Sequence, residues 1–279
     1  MKKFLEISYD NSGMFPYKPL TENILFSNNP ISKITIDNSK DKYFIENKNK
    51  YNYIDNKEIN LYGYRCDNFK KIHNEKHILF TGCSYTFGDG LIKNEVWAKR
   101  LYDNINSKEK CSGYFNLGIS ASSILTQVVD LFKYFKTFSN PDIIFFNLTD
   151  LNRMYTYDLN KKTFFDGIYN EKYFNLLKIL SYQYYFMLNQ YCLVNNIKLY
   201  SFSWTSLNPN MQDNVSFFIK YFENFYNDDI NLATQYIIDY KKNNKNDMYH
   251  SIARDKIHLG NAYHYYWSEI MYERYMKLK

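Results

Sequence analysis

Cysteine and histidine are scarce, with four and five copies in 279 residues. Cys66, Cys83, Cys111 and Cys192 lie far apart and form no CxxC pair, so neither a zinc knuckle nor a thioredoxin-type site is suggested. Reduced intracellular thiols are the default for such spacing. Asp89 and the pair Asp228 and Asp229 have no histidine or carboxylate neighbours at ligand spacing. No metal and no cofactor is therefore expected. Long apolar runs are also missing. The most apolar stretch, Phe174 to Val194, contains Lys178, Gln183, Asn189 and Gln190, which is too polar for a membrane span and reads as a buried amphipathic helix. After the opening MKK, acidic and polar residues interrupt any signal-peptide core, so the expected location is the cytoplasm. There is no GxGxxG and no Gly-Lys-Ser/Thr phosphate loop. No internal repeat or long linker is visible, and KKNNKND near Lys241 is the best candidate for a flexible loop. The formal charge of +6 is spread along the chain, whereas a nucleic-acid binder usually concentrates its basic residues, so no nucleic-acid partner is expected. The 30 tyrosines read as a compositional bias.

Apolar residues, in contrast, are plentiful. Hydrophobic residues make up 45% of the chain and aromatics 20%, enough for a large core without disulfides or metal. The length suits one main domain with an appendage. Over residues 1–74, short runs (KITID, KYFIE, YNYID, INLYGYR) alternate with Asn, Asp and Lys clusters, which predicts a small β or extended appendage. Over residues 75–279 the texture changes. Strand-length runs HILFT, GYFNLG, PDIIFFNL and KLYSFSW alternate with helical segments through VWAKRLYDNI, SSILTQVVDLFKYF, Phe174 to Val194, and Asn261 to Lys279. That alternation predicts an α/β domain with a parallel sheet covered on both faces. Ile124, Leu125, Val128, Val129, Phe132 and Phe135 recur at helical spacing and form a core face.

In such sheets chemistry sits at the carboxyl ends of the strands. Ser84, in HILFTGCSYTFGDGL, stands at one of them. Read alone, the stretch fits a tight turn, a phosphate cradle or a nucleophile. Cys83 reads as a small buried side chain. A serine nucleophile needs a base, and His258, in ARDKIHLGNAYHYYW, has Asp255 three residues before it, an offset from which a carboxylate can orient the imidazole. Acyl transfer also needs donors for the developing oxyanion. Gly118, in FNLGIS, stands just beyond the second strand, where the missing β-carbon lets substrate approach the N–H. FFNLTDLNR adds Asn147, Thr149 and Asn152 as side-chain donors. The segments DLNRMYTYDLNKKTFFDG and SWTSLNPNMQDN read as pocket loops.

In this order the blocks resemble those of the SGNH (GDSL-type) hydrolases. GCSYTFGDG resembles the serine block in the variant that replaces the Asp before serine, NLGIS the glycine block, and DKIHLGNAYH the Asp-x-x-His block, with His264 reading as a helix residue beneath the site. NLYGYR, Asn60 to Arg65, resembles a segment that precedes the serine strand in several branches. The third block departs from the family, because Gly-x-Asn-Asp is absent. The resemblance implies a three-layer α/β/α sandwich with a mostly parallel, flavodoxin-like sheet. It implies a triad of Ser84, Asp255 and His258. The oxyanion hole would be made by Ser84, Gly118 and Asn152, with Asn152 preferred to Asn147 and Thr149. The implied activity is hydrolysis of an O-acyl ester on a small molecule or glycan, an O-acetylated carbohydrate or a lipid among them. Two alternatives keep the fold: a non-catalytic binding or structural module, and an O-acyltransferase using the same residues.

Overall fold

Strand-length apolar runs bounded by small or polar residues become a parallel sheet when both of their faces can be buried. The computed structural model describes residues 58–279 except 71, 121, 150, 152, 159–162, 169–173, 204–217, 219, 223–224, 227–229, 248–249, 252, 254–257 and 278. Its strands are β1 (Ile78–Thr81), β2 (Phe115–Asn116), β3 (Ile143–Asn147), β4 (Arg153–Asp158), β5 (Thr163–Ile168), β6 (Lys198–Phe202) and β7 (Phe225–Tyr226). Five of them form one parallel sheet in the order β2-β1-β3-β6-β7. Counted along that sheet alone, this is the flavodoxin-like order, whose winding reverses between β1 and β3. Every residue of β1 and β3 is buried.

The helices are α1 (Ser84–Phe87), α2 (Trp97–Asn106), α3 (Ile124–Phe138), α4 (Phe174–Val194), α5 (Ile230–Asn243) and α6 (Asn261–Lys277). On one side of the sheet α6 packs against α2 and α5, and on the other α3 packs against α4. This is the expected α/β sandwich. Ser123 starts α3 by accepting the Thr126 N–H at 3.2 Å. In α4 the buried residues Leu177, Ser181, Tyr185, Leu188 and Cys192 recur every three or four positions. The rest of that helix departs from the buried expectation: Leu176, Ile179, Phe186 and Met187 are 49–53% exposed.

One row of rings fixes the layers. Phe80, Phe145 and Tyr200 are register partners on β1, β3 and β6 and stack at 5.4 and 5.1 Å. Trp97 of α2 meets Phe80 edge-on at 5.7 Å, and Tyr275 of α6 meets Phe145 at 6.5 Å. Because side chains alternate along a strand, Phe146 and Ser201 face the other layer, where Tyr185 of α4 packs against Phe146 and donates its hydroxyl to Ser201 Oγ at 2.6 Å.

Three expectations meet a different arrangement. Residues 58–70 form turns that enter the main core: Phe69 packs on Phe115 and Tyr134 at 5.8 and 5.0 Å, and Tyr64 and Cys66 are buried beside it. INLYGYR thus forms turns rather than a strand, and these turns wrap on the main domain. DLNRMYTYDLNKKTFFDG, read as a loop, carries the antiparallel hairpin β4–β5, registered from Arg153 opposite Ile168 to Asp158 opposite Thr163. Lys241 to Asn243, read as part of a flexible loop, form the last turn of α5. The strands expected at KITID, KYFIE and YNYID, and all but the first residue of SWTSLNPNMQDN, lie outside the described residues. Among the described residues no helix is long and apolar enough to cross a membrane. Truncating Phe145 to alanine should cost roughly 3–5 kcal/mol, because the cavity opens at the centre of the ring row; urea denaturation at neutral pH measures it, and a cost below about 1 kcal/mol would show that the row is not the centre of the core.

Candidate functional site

β1 ends at Thr81, and two residues carry the chain into α1. Gly82 is sterically required there, since a β-carbon would lie 2.0 Å from Thr86 Oγ1. Cys83 is extended and buried. Its carbonyl accepts the N–H groups of Thr86 and Phe87 at 2.9 and 3.0 Å. Ser84 opens α1, and its carbonyl accepts the N–H groups of Gly88 and Asp89 at 2.7 and 3.0 Å. Gly88 closes the turn at φ 89°, a left-handed conformation that glycine adopts without strain. Ser84 is 3% exposed, and among the described residues its side chain makes one weak hydrogen bond, to Cys83 Sγ at 3.9 Å. The Ser84 N–H has no acceptor among the described residues.

Two side chains hold this turn against the sheet. Asn116, the last residue of β2, donates through Nδ2 to the Thr86 carbonyl at 2.6 Å and to Tyr114 Oη at 2.9 Å. Its Oδ1 accepts the Gly118 N–H at 2.8 Å. Arg65, fully buried, donates from Nη1 to the Gly88 carbonyl at 2.9 Å, while its Nε holds Glu58 Oε2 at 2.8 Å. Charge-assisted bonds of this kind are the stronger ones. The expectation for Gly118 needs correction on both counts. Its N–H is committed to Asn116 rather than open to an oxyanion. Its absent β-carbon would lie 2.6 Å from Phe87 N and 2.8 Å from Thr86 C, so glycine is needed for β2 to rest on the α1 backbone rather than to admit substrate.

His258 belongs to the same corner. Its ring packs edge-on against Tyr85 at 5.0 Å, and Nε2 stands 4.0 Å from Asp89 Oδ2. Among the described residues no hydrogen bond joins Ser84 to His258. Asp255, expected to orient this ring, lies outside the described residues. No protein-family model matches the chain, and no curated protein matches it. The site therefore stands on its own geometry. His264, one turn into α6, is fully buried and accepts the Trp97 N–H on Nδ1 at 3.1 Å. It thereby supplies the first amide of α2 with a partner it would otherwise lack. A neutral imidazole that accepts on Nδ1 carries its proton on Nε2. Burial, with the charges of Arg100 and His258 adding to it, pushes this histidine down to about 3.

The end of β3 supplies the remaining polar groups. Asn147 is wholly buried, and neither its Oδ1 nor its Nδ2 makes a hydrogen bond within the described chain. Its Cβ lies 3.1 Å from where a Gly82 β-carbon would be, beside the serine turn. Thr149 Oγ1 and Thr86 Oγ1 are likewise buried without partners. Asn152 lies outside the described residues. Buried polar atoms without partners occur elsewhere among the described residues, on Trp97 for example, so it is the closeness of Asn147 to the serine turn that singles it out. Asn116 and Asp89 escaped the sequence reading as site-building residues, whereas Arg65 belongs to the NLYGYR segment that it singled out. For Asn116 the Asn-x-Gly spacing to Gly118 was the available signal. Among the described residues no three His, Cys, Asp or Glu side chains come together as a metal site would require.

The pH consequence of His264 has a definite sign. The unfolded chain binds a proton on this residue below its ordinary value of 6.5, while the folded chain resists until about 3. Stability from this group is therefore complete above 6.5 and falls as pH drops through that window, by at most about 1.4 kcal/mol per pH unit. Urea denaturation from pH 7 to 4 should show a shallower decline for His264→Gln, which removes the titrating group, than for the wild type. Identical slopes would show that His264 does not titrate on unfolding.

Proposed function

We propose that the chain is a serine-dependent ester hydrolase of SGNH type that works through an acyl-enzyme. The supporting observation is the position of Ser84: buried at the carboxyl end of β1, where the winding of the sheet reverses, with the His258 ring packed on the next residue. Open parallel sheets bind ligands at that point. In this reading His258 Nε2 turns from Asp89 toward Ser84 and takes the proton of Oγ, and Oγ attacks the acyl carbonyl. The tetrahedral intermediate collapses as the imidazolium gives its proton to the departing alcohol oxygen. A water, deprotonated by the same ring, then releases the acid and regenerates Ser84. Catalytic hydrogen bonds are often loose before substrate binds, which accommodates the present direction of Nε2. Asp89 faces the ring and would stabilise the imidazolium; Asp255 is the acid that the resemblance assigns.

For the oxyanion, the donors best placed are the Ser84 N–H and Asn147 Nδ2, since both lack acceptors beside the serine turn. Gly118 acts in this reading by holding the turn. The ester would be an O-acyl small molecule or glycan, and transfer to another hydroxyl in place of water uses the same residues. The missing Ser84–His258 bond and the committed Gly118 N–H favour a second reading, a binding module that keeps the fold without turnover.

Short-chain nitrophenyl esters and a serine-directed phosphonate separate the two. The wild type should hydrolyse the ester and be labelled, and Ser84→Ala should do neither, with turnover lower by several orders of magnitude. Equal rates in the two proteins, or no labelling of the wild type, would leave the binding module. Asn147→Ala should lower kcat by roughly 100- to 1,000-fold while KM changes little, the pattern of a lost oxyanion donor. An unchanged kcat would remove Asn147 from the hole.

A further inference from the structure

On the sheet face away from α3 and α4, helices α2, α5 and α6 enclose a cleft of about 410 Å³, within the usual size of small-molecule sites. Its wall is built from tyrosines. Tyr265 of α6 meets Tyr240 and Tyr236 of α5 at 5.6 and 6.4 Å, with the ring planes inclined by 45° and 49°. Arg100 of α2 places its guanidinium 5.9 Å above the Tyr265 ring. Its Nε donates to the Glu95 carbonyl at 3.2 Å, but its terminal nitrogens have no ion-pair partner among the described residues. Asn243, exposed at the cleft edge, makes no side-chain hydrogen bond there. Asp239 is the acidic member of the lining, and its charge is already met by Gln235 Nε2 at 3.0 Å and Lys242 Nζ at 3.5 Å.

We propose that this cleft binds a saccharide residue bearing a carboxylate. Mutually tilted rings suit a puckered pyranose, which presents C–H groups in several directions, better than a planar base that needs a flat face. Carboxamides such as that of Asn243 can both donate to and accept from sugar hydroxyls. The planar fork of Arg100 matches a carboxylate and binds it through charge-assisted hydrogen bonds. A phosphate ester would find one uncommitted cation and a neighbouring Asp239, too little positive charge for a doubly charged group.

The cleft is tied to the serine site without depending on its chemistry. Asn261, three residues beyond His258, donates to Glu95 Oε1 and to Asp247 Oδ2, each at 2.9 Å. Glu95 also receives Arg100, and Asp247 receives the Tyr240 hydroxyl at 2.9 Å. Saccharide binding is thus expected whether or not Ser84 turns over an ester.

Isothermal titration calorimetry of the full chain with trigalacturonate, and with maltotriose as the neutral comparison, tests the proposal. Trigalacturonate should bind at least about tenfold more tightly than maltotriose, the difference one charge-assisted pair can supply. Arg100→Gln should abolish that preference. Because Arg100 also braces Glu95, Asn243→Asp serves as a second variant at an exposed position: its added negative charge should weaken trigalacturonate binding several-fold and leave maltotriose within about twofold. Circular dichroism confirms that each variant is folded. Binding of neither sugar, equal affinity for both, or an acidic-sugar affinity untouched in a folded variant would overturn the assignment.

Discussion

Two glycines let the ends of β1 and β2 close on the serine turn, Gly82 against the Thr86 side chain and Gly118 against the α1 backbone, and the geometry of the candidate site depends on that contact. The strand-to-turn link at Gly82 lies against Thr86, and the residue after β2, Gly118, lies against the Thr86–Phe87 peptide. A β-carbon at either position would push α1 away from the sheet, and Ser84 with it. Packed interiors do not absorb such displacements smoothly. Asn116 and Arg65 then bind the two ends of the turn, one at the Thr86 carbonyl and the other at the Gly88 carbonyl. The serine turn is therefore held by side chains from outside it.

Much of this was legible from residue order. The buried strands read as short apolar runs, and α3 and α6 were visible in their periodicity and the segments around them. The part played by Gly118 was not legible, because a glycine after a strand looks the same whether it admits a substrate or a neighbouring peptide. What decides between them is the Asn116 side chain bonding two residues ahead. Asn147 was set second because it falls inside the strand; it is in fact the last residue of β3, where a side chain can reach the strand end while remaining in the ladder. The β4–β5 hairpin hid behind its Asn and Lys turn, although Tyr155 to Asp158 alternates with the two-residue period of a strand. For α5, the buried Ala233 and Tyr240, seven positions apart, were a usable signal that the flanking Lys and Asn residues masked.

The tyrosine bias also acquires a physical role. A buried phenol ring fills core volume as phenylalanine does, but its hydroxyl must find a partner. Tyr64 donates to Asp130 Oδ2 at 3.1 Å, Tyr185 to Ser201 and Tyr240 to Asp247, and Tyr134 pairs with His77 Nε2 at 2.8 Å. Burial pushes Tyr240 up to about 12, with the Asp247 hydrogen bond acting in the same direction, so the hydroxyl remains a donor across the physiological range. Such pairs fix which ring meets which neighbour in a core where many aromatic arrangements would otherwise fill the space.

The imidazole on the first amide of α2 comes from a residue 167 positions later in the chain. As the protein is synthesised, α2 emerges long before its cap does, and the serine turn long before the loop that carries His258. A nascent chain can form β1, β2 and β3 and still lack both until α6 has left the ribosome. Contacts of long sequence separation slow the folding of a domain as a whole. The candidate corner thus joins segments made early in synthesis with segments made late.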